Sequence, residues 1–257
     1  MNINTSGPKI LWEFDLFGIP VTITETVLSG AVVFLILAVA SYFLGRNLKK
    51  RPGGRQVLVE KVVTMLYNMV GDTMGKHNLK FAPYIGTLFC SSLLGSLIGM
   101  TGFLRSTTAD FSTTITWALV TSVLVWYHNI KNNGFWGWLK GFTEPIAVMT
   151  PMNLVGEVAQ PIALAFRHFG NVAGGGVLMS MAYGALAGAS TLILKWIPNA
   201  FLNSIPILQL GIPAALSLYF DLFSGFIQAL VFCMLTMVYV GEACPPPVKK
   251  DTKVETN

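Results

Sequence analysis

A single arginine lies in the middle of an apolar stretch of the chain, "VAQPIALAFRHFGNVAGGGVLMSMA" at residues 158–182. Apart from Arg167, residues 158–194 contain no Lys, Arg, Asp or Glu over 37 positions. A guanidinium stays charged at every physiological pH. Insertion measurements put the cost of an arginine at the centre of a bilayer at roughly 2.5–3.5 kcal/mol. Arg167 lies far from both ends of the stretch, which argues against a side chain that reaches the membrane surface. The position therefore predicts a compensating polar environment and a function.

Helical spacing predicts which residues share a face with this arginine. The positions i, i+4, i+7, i+11 and i+14 form one stripe, and they are occupied here by Gln160, Leu164, Arg167, Asn171 and Gly174. Two amides are therefore predicted to flank the guanidinium. Glu157 lies about one turn before Gln160 and is predicted to line the same path from the cytoplasmic side.

Small residues follow the arginine along the same segment. They are Gly170, Ala173, Gly174, Gly175 and Gly176. Small side chains let another helix approach closely. Two interpretations are open: static packing of a neighbouring helix of the same protein, or a partner surface that passes close to Arg167.

A second polar stripe lies in "SLYFDLFSGFIQALVF" near the end of the chain. Its members follow the spacing i, i+4, i+7, i+11 and are Ser217, Asp221, Ser224 and Gln228. Asp221 is a carboxylate within an apolar run, where it either pairs with Arg167 or lines a path open to solvent. One stripe centred on a cation and one containing an acid are together typical of an ion path through a membrane.

The composition is that of a polytopic membrane protein. Charged residues make up 11% of the 257 residues, hydrophobic residues make up 53%, and the mean hydropathy is +0.61. A soluble domain carries about 25% charged residues. The sequence contains no Gly-rich, Lys-bearing nucleotide motif. The three histidines show neither metal-ligand spacing nor a nucleophile partner, which argues against an intramembrane enzyme. No cofactor, metal or nucleic acid is expected.

Uncharged runs and helical periodicity define one all-α membrane domain over residues 1–257. About five membrane-embedded helices and one amphipathic surface helix are predicted. The two last embedded segments are about twice as long as one crossing requires, so each is a helical hairpin or one long tilted helix, and the lack of a central loop signal favours long tilted helices. The predicted segments are an outside N-terminal segment at 1–25, helix 1 at 26–45, the cytoplasmic-surface helix at 55–76, transmembrane helices at 81–104 and 111–130, the Arg-bearing helix at 151–194, the final helix at 206–241 and a cytoplasmic tail at 242–257.

The distribution of Lys and Arg predicts the orientation. With these spans, thirteen of these cations fall on one side of the membrane and three on the other, Arg167 itself lying within a span. Cytoplasmic loops carry the excess of positive charge. The N-terminus is therefore predicted to lie outside and the C-terminus in the cytoplasm, in a cell (plasma or inner) membrane.

Four stretches of the chain resemble subunit a of bacterial F-type ATP synthases. "QPIALAFRHFGNVAGG" is similar to the arginine helix of that family, and "IQALVFCMLTMVYVGEA" to its last helix, with Gln228 at the characteristic glutamine. "PGGRQVLVEKVV" matches the segment with a Gln and a Glu four residues apart, here Gln56 and Glu60. "TTADFSTTITWALV" matches the stretch that carries Asp110. These matches occur in order along nearly the whole chain.

The chain also departs from the pattern of this family. His168 occupies a position that is usually Leu, so a second titratable group adjoins the arginine in sequence. Gly176 stands where many members have an acid or a His, and Asp221 stands at a position that is His in some members and acidic in others. We interpret these two differences together, as one acid that has moved to the other helix and serves the same path.

The resemblance implies the stator of a rotary membrane motor. Such a subunit flanks a ring of small hairpin (c-type) subunits, and it works with peripheral-stalk b-type subunits, the remaining ATP synthase subunits and the lipid bilayer. It offers the ring carboxylates two aqueous half-channels, and Arg167 would separate them. The subunit itself is not catalytic, and the coupling ion is H⁺ or Na⁺.

The resemblance also assigns roles to individual residues. The ion path would comprise Glu157, Gln160, Arg167, His168, Asn171, Ser217, Asp221, Ser224 and Gln228. Gly170, Ala173 and Gly174 would face the ring. Three further residues would either stabilise the fold or line the entrance of the ion path: Gln56, Glu60 and Asp110.

A secondary transporter that binds an anionic substrate at Arg167 is the alternative. Many transporters of that class contain internal repeats, and this sequence shows none.

Overall fold

The computed structural model describes residues 9–16, 18–46, 48–101, 103–144, 146–194 and 219–246. Over these residues the chain forms one β-hairpin followed by six α-helices, with short 3₁₀ and π turns between them. The first part of the predicted final helix at 206–241, and most of the predicted tail, lie outside the described residues.

The hairpin occupies the segment that the sequence assigned only to the outside of the membrane. Strand β1 (Ile10–Leu16) pairs antiparallel with β2 (Ile19–Thr24), and Gly18 lies in the turn with φ of 80°. Glycine adopts positive φ without the penalty of a Cβ atom. Five of the six residues of β2 are Ile, Val or Thr, and such β-branched residues are enriched in strands. The hairpin is an addition to the predicted fold.

The six helices are long, and their bounds are given by the backbone. They are α1 (Glu25–Gly45), α2 (Gly54–Met74), α3 (Ala82–Leu97), α4 (Phe111–Gly141), α5 (Thr150–Leu194) and α6 (Gly225–Ala243). A 3₁₀ turn, Lys76–Phe81, precedes α3, and a π turn, Tyr219–Ser224, precedes α6. Helix α5 is one continuous helix of 45 residues rather than a hairpin, although it contains Pro161.

Two helices differ from their predicted bounds. Helix α3 ends at Leu97 and passes into a 3₁₀ turn, whereas the uncharged run predicted helix to residue 104. Helix α4 extends to Gly141, well past the predicted end at residue 130, and it is kinked at Gly134, where φ is 72°. Because only a residue without a Cβ atom adopts this conformation freely, Gly134 lets the chain turn while it remains helical on both sides.

Among the described residues, four helical segments are long and apolar enough to cross a membrane. They are Glu25–Gly45, Lys76–Thr101, Ala147–Ser190 and Leu222–Ala243. These segments confirm the predicted all-α polytopic membrane fold. Helix α4 is not among them because its Ser, Thr, Trp, Tyr and His residues lower its mean hydropathy. Two of those hydroxyls, Thr121 and Ser122, are buried and donate to carbonyls one turn earlier in α4, at 3.1 Å each.

Helix α6 lies at the centre of the packing and contacts α2, α3, α4 and α5. Its Phe232 and Met237 are fully buried, as are Ile85 of α3 and Ala118 of α4. Helix α1 packs against α3 and buries few residues, so most of its apolar surface is exposed. Helix α5 packs chiefly against α4 and also contacts α6, so burial of apolar surface against these two helices fixes its position.

Polar side chains stabilise the end of α6 and the start of α2. Asn132 Nδ2 donates to the Ala243 carbonyl at 2.8 Å, and Asn78 Nδ2 donates to the Cys244 carbonyl at 2.9 Å. These contacts satisfy carbonyls that have no partner within the helix. The Gln56 amide binds the backbone of Lys49 twice, at 3.0 Å each, and donates to Glu60 at 2.6 Å. Gln56 and Glu60 thus hold the loop before α2.

Asp110 joins the start of α4 to the start of α1. Its carboxylate accepts from the backbone N–H of Ser112 at 3.0 Å and from the Thr26 hydroxyl at 2.6 Å, and Thr26 is buried. The first contact is an N-terminal helix cap, which contributes about 1 kcal/mol. The second contact ties two helices that share little other surface.

We predict that Asp110→Ala lowers the thermal unfolding midpoint of the purified protein by several degrees. The variant loses the cap and the contact to Thr26, whose buried hydroxyl keeps only the Thr24 hydroxyl at 2.8 Å, at a combined cost of about 1–2 kcal/mol. Asp110→Asn, which keeps an acceptor oxygen, should recover much of the loss. Asp72→Ala, at an exposed position, is the control. Equal midpoints for Asp110→Ala and Asp72→Ala would contradict this role of Asp110.

Candidate functional site

Two neighbouring residues of α5 point in opposite directions. Arg167 is exposed, whereas His168 is fully buried. Successive residues on a helix are about 100° apart, so one can face the core while the other faces out of the chain. Helix α5 therefore has a packed face against α4 and α6 and an open face that carries Arg167.

The guanidinium of Arg167 has no partner within the part of the chain that the structure describes. No described side chain forms an ion pair or hydrogen bond with it, and the adjacent residue Phe166 is itself 55% exposed. The charge lies 17 residues after the start of α5 and 27 before its end. It is thus held at mid-helix, out of the protein core, without neutralisation by a described residue.

Four glycines follow Arg167 on α5 with open space around them, and Gly170 and Gly174 lie on the same face as Arg167. A Cβ atom built on Gly170, Gly174, Gly175 or Gly176 would meet no atom within 4 Å, and Ala173 is partly buried. Within the described residues, no other helix of the chain uses these glycines for close packing. Static packing inside the chain, the first of the two interpretations of these small residues, therefore gains no support from the described part of the structure.

A polar cluster joins α5 to α6 just after Arg167. Asn171 Nδ2 donates to Gln228 Oε1 at 3.3 Å, and the Ser224 hydroxyl donates to Asn171 Oδ1 at 3.0 Å. We call Asn171, Ser224 and Gln228 the amide cluster. The structure therefore brings together three residues that the sequence placed on two separate stripes.

Two further members of the predicted path belong to the segment before α6. Asp221 belongs to the π turn before α6, but its side chain lies outside the described part of the structure. Ser217 also lies outside the described residues. Pairing of Asp221 with Arg167, or its exposure to a solvent path, stays a prediction.

A cavity of about 520 Å³ lies before Arg167, between the second half of α4 and the first half of α5. Its polar lining consists of Asn129, Asn133, Asn153, Glu157 and Gln160. The Trp126 indole N–H donates to the Glu157 carboxylate at its edge. The sequence indicated Glu157 and Gln160 but not Trp126 or the three asparagines, since their approach depends on how α4 and α5 pair.

Arg167 lies between the cavity and the amide cluster along α5. Gln160 of the cavity is seven residues before Arg167, and Asn171 of the cluster is four residues after it. At a rise of about 1.5 Å per residue these separations are about 10 Å and 6 Å. Two polar regions are thus separated along one helix by a fixed positive charge.

His168 belongs to the packed interior rather than to the face of Arg167. Its Nε2 is 3.2 Å from the Ser92 hydroxyl of α3, and its ring packs edge-on against Trp117 and Phe232 at centroid distances of 5.9 and 5.2 Å. Adjacency in sequence suggested a second titratable group beside the arginine. The helical rotation between neighbouring residues places it in the core instead.

Comparison with known proteins gives a consistent assignment. The family model described as "ATP synthase A chain" matches residues 26–241. The chain is 35% identical to the sodium ion specific ATP synthase subunit a of Propionigenium modestum, over 91% of this chain and 84% of that protein. It is 30% identical to ATP synthase subunit a 2 of a Bradyrhizobium species, over 87% and 90%. It is 28% identical to ATP synthase subunit a of Staphylococcus saprophyticus, over 93% and 97%.

We predict that water reaches the cavity between α4 and α5. In a background without Cys90, Cys233 and Cys244, Asn133→Cys should react with a membrane-impermeant maleimide, because the reactive thiolate forms in water. Val123→Cys lies on the same helix but at an exposed apolar position. It is the matched control and should react at least about tenfold more slowly, since lipid suppresses ionisation of the thiol. Similar rates at the two positions would show that the cavity is not a water-filled path.

Proposed function

The chain belongs to the ATP synthase A chain family, and from this premise we propose that Arg167 separates two ion half-channels. The protein is an ion-translocating stator subunit of the membrane sector of an ATP synthase. The comparisons thus confirm the resemblance seen in its sequence. Membership of this family does not favour the alternative of a secondary transporter.

The observation that carries the proposal is a guanidinium at mid-helix, on an open face of α5, without a partner among the described residues. Contact of this charge with lipid would cost several kcal/mol. No described acid of the chain covers it. A surface that brings carboxylates into the membrane interior would compensate the charge, and the ring of c-type subunits is such a surface. Of the ring-facing residues predicted from the sequence, Gly170 and Gly174 lie within about 60° of Arg167 around α5, and the open space at both leaves room for the ring to pass close to Arg167.

The two polar regions beside Arg167 supply candidates for the half-channels. The cavity with Glu157 and Gln160 would form the cytoplasmic one, and the amide cluster with Asp221 and Ser217 the outer one. This assignment uses the orientation predicted from Lys and Arg, with the N-terminus outside and the C-terminus in the cytoplasm of a cell membrane. In that orientation α5 begins on the cytoplasmic side, where the cavity lies.

The proposed cycle uses the permanent charge as a barrier. An H⁺ or Na⁺ ion coming from outside neutralises a ring carboxylate beside the amide cluster. The neutral carboxylate then travels through lipid with the ring and releases its ion at the cavity. Arg167 attracts the returning ion-free carboxylate, and its charge repels any cation that would pass directly between the half-channels. Each elementary charge that crosses 100 mV contributes about 2.3 kcal/mol, so several ions must cross for each ATP.

The proposal also assigns the partners of the chain. Besides the c-type ring, peripheral-stalk b-type subunits would hold the stator against the ring, and nucleotide chemistry would belong to the remaining ATP synthase subunits. The chain would thus be non-catalytic. Its exposed apolar helix α1 and the surface helix α2 would contact the bilayer.

We predict that Arg167→Ala abolishes ATP-driven ion uptake by the reconstituted complex without loss of assembly. Arg167→Lys should also fail, because a desolvated lysine can lose its proton and lacks the planar fork of a guanidinium. Arg51→Ala, an exposed arginine outside the spans, is the matched control and should leave uptake unchanged. Near-normal uptake by Arg167→Ala in vesicles that contain the assembled complex would refute the proposed barrier.

We also predict that one carboxylate is needed in the outer half-channel and that its host helix can change. Asp221→Asn should strongly reduce ion uptake, and Asp221→Asn with Gly176→Glu should recover part of it. Position 176 is exposed with open space around it, so a Glu there meets no steric obstacle from the described residues. Gly176→Gln in the Asp221→Asn background is the matched control and should recover nothing. Normal uptake by Asp221→Asn alone would exclude this role.

A further inference from the structure

Two buried side-chain atoms next to the amide cluster have no hydrogen-bond partner among the described residues. They are His168 Nδ1 and Gln228 Nε2, on residues that are 0% and 5% exposed. In native proteins the large majority of buried polar atoms are satisfied by protein or by ordered water. An orphaned buried donor or acceptor costs about 1–3 kcal/mol. The two atoms belong to facing residues of α5 and α6, so one common partner would satisfy both of them.

Both atoms lie at one interface, between α5 and α6. Phe232, one turn after Gln228 on α6, packs its ring 5.2 Å from the His168 ring. Asn171, one turn after His168 on α5, donates to Gln228 at 3.3 Å. The two side chains are thus placed across the same turn of the two helices, with one contact on either side of them.

The orphan on Gln228 does not depend on how its amide is assigned. One terminal atom of the carboxamide contacts Asn171, and the other faces the protein interior without a partner. An exchange of the amide oxygen and nitrogen only changes whether the inner atom is a donor or an acceptor. The same holds for His168, because the Ser92 hydroxyl at Nε2 can donate or accept and leaves Nδ1 as the opposite kind of atom.

We propose that one ordered water molecule bridges His168 Nδ1 and Gln228 Nε2 and makes His168 a positioning residue of the outer half-channel. A water molecule both donates and accepts, so it satisfies the two atoms in either tautomer of the ring, and buried waters occur where two or more polar partners converge. The Ser92 hydroxyl fixes the ring, the ring fixes the water, and the water fixes the Gln228 carboxamide. The carboxamide then holds Asn171, which lies one turn from Arg167.

This inference rests on the proposed function, because it assigns His168 to the support of the amide cluster. It predicts that ion transport depends on Nδ1 of the His168 ring. The other nitrogen, Nε2, only anchors the ring to Ser92 of α3. Asparagine at position 168 keeps a polar atom near the place of Nδ1, and glutamine keeps one near the place of Nε2. A role in packing alone does not distinguish these two substitutions in that way.

The test compares His168→Asn, His168→Gln and His168→Leu in the reconstituted complex, by ATP-driven ion uptake per assembled complex. We expect His168→Asn to stay within about twofold of the unsubstituted protein. His168→Gln and His168→Leu should both lose about tenfold, which corresponds to about 1.4 kcal/mol. His128→Asn is the matched control, since the His128 ring contacts a carbonyl of its own helix. It should leave uptake unchanged.

Equal uptake by His168→Asn and His168→Gln, at either a normal or a reduced level, would overturn the inference. If His168→Leu does not assemble, the comparison of the Asn and Gln variants decides alone. Arg167→Ala, measured in the same vesicles, separates this inference from the proposed function. Normal uptake by Arg167→Ala would contradict the proposed function itself. A loss by Arg167→Ala together with equal Asn and Gln variants would contradict only the role of His168.

Discussion

A guanidinium that cannot lose its charge is held at the middle of a membrane helix and is not neutralised by any described residue of its own chain. Charge in a low-dielectric interior is stabilised by opposite charge, by hydrogen bonds or by water. The chain supplies polar groups on both sides of Arg167 along α5 but leaves the guanidinium itself exposed. We propose that the compensation comes from a partner surface that carries acids into the membrane.

The rest of the fold holds this arrangement in place. Helix α6 is surrounded by four other helices, and its fully buried Phe232 packs against the inward face of α5 at His168. Packing on that face fixes the rotation of α5, which in turn keeps Arg167, Gly170 and Gly174 on the outside. The two charged or titratable side chains of α5 at this level thus point to different sides of the helix. His168 is part of the core, and Arg167 is part of the surface available to a partner.

Local patterns predicted the helices and part of the site. Apolar runs predicted α1 and α5 to within a residue, and the 3.6-residue period predicted that Gln160, Arg167 and Asn171 share one face of α5. These features depend only on composition and spacing within one segment.

Other features depend on contacts between segments, which one sequence does not contain. The asparagines of the cavity and the Trp126 contact to Glu157 arise because α4 continues beyond the predicted span and lies along α5. The inward direction of His168 follows from the side on which α6 packs.

The most direct test of the central claim is a high-resolution cryo-EM structure of the assembled ATP synthase that contains this chain. The account predicts that the open face of α5 lies against the c-type ring, with the Arg167 guanidinium beside the path of the ring carboxylates. It also predicts that the glycines following Arg167 form the closest approach between the two partners. A structure in which this face contacts lipid or a stationary subunit, with Arg167 paired to an acid of its own chain, would contradict the account.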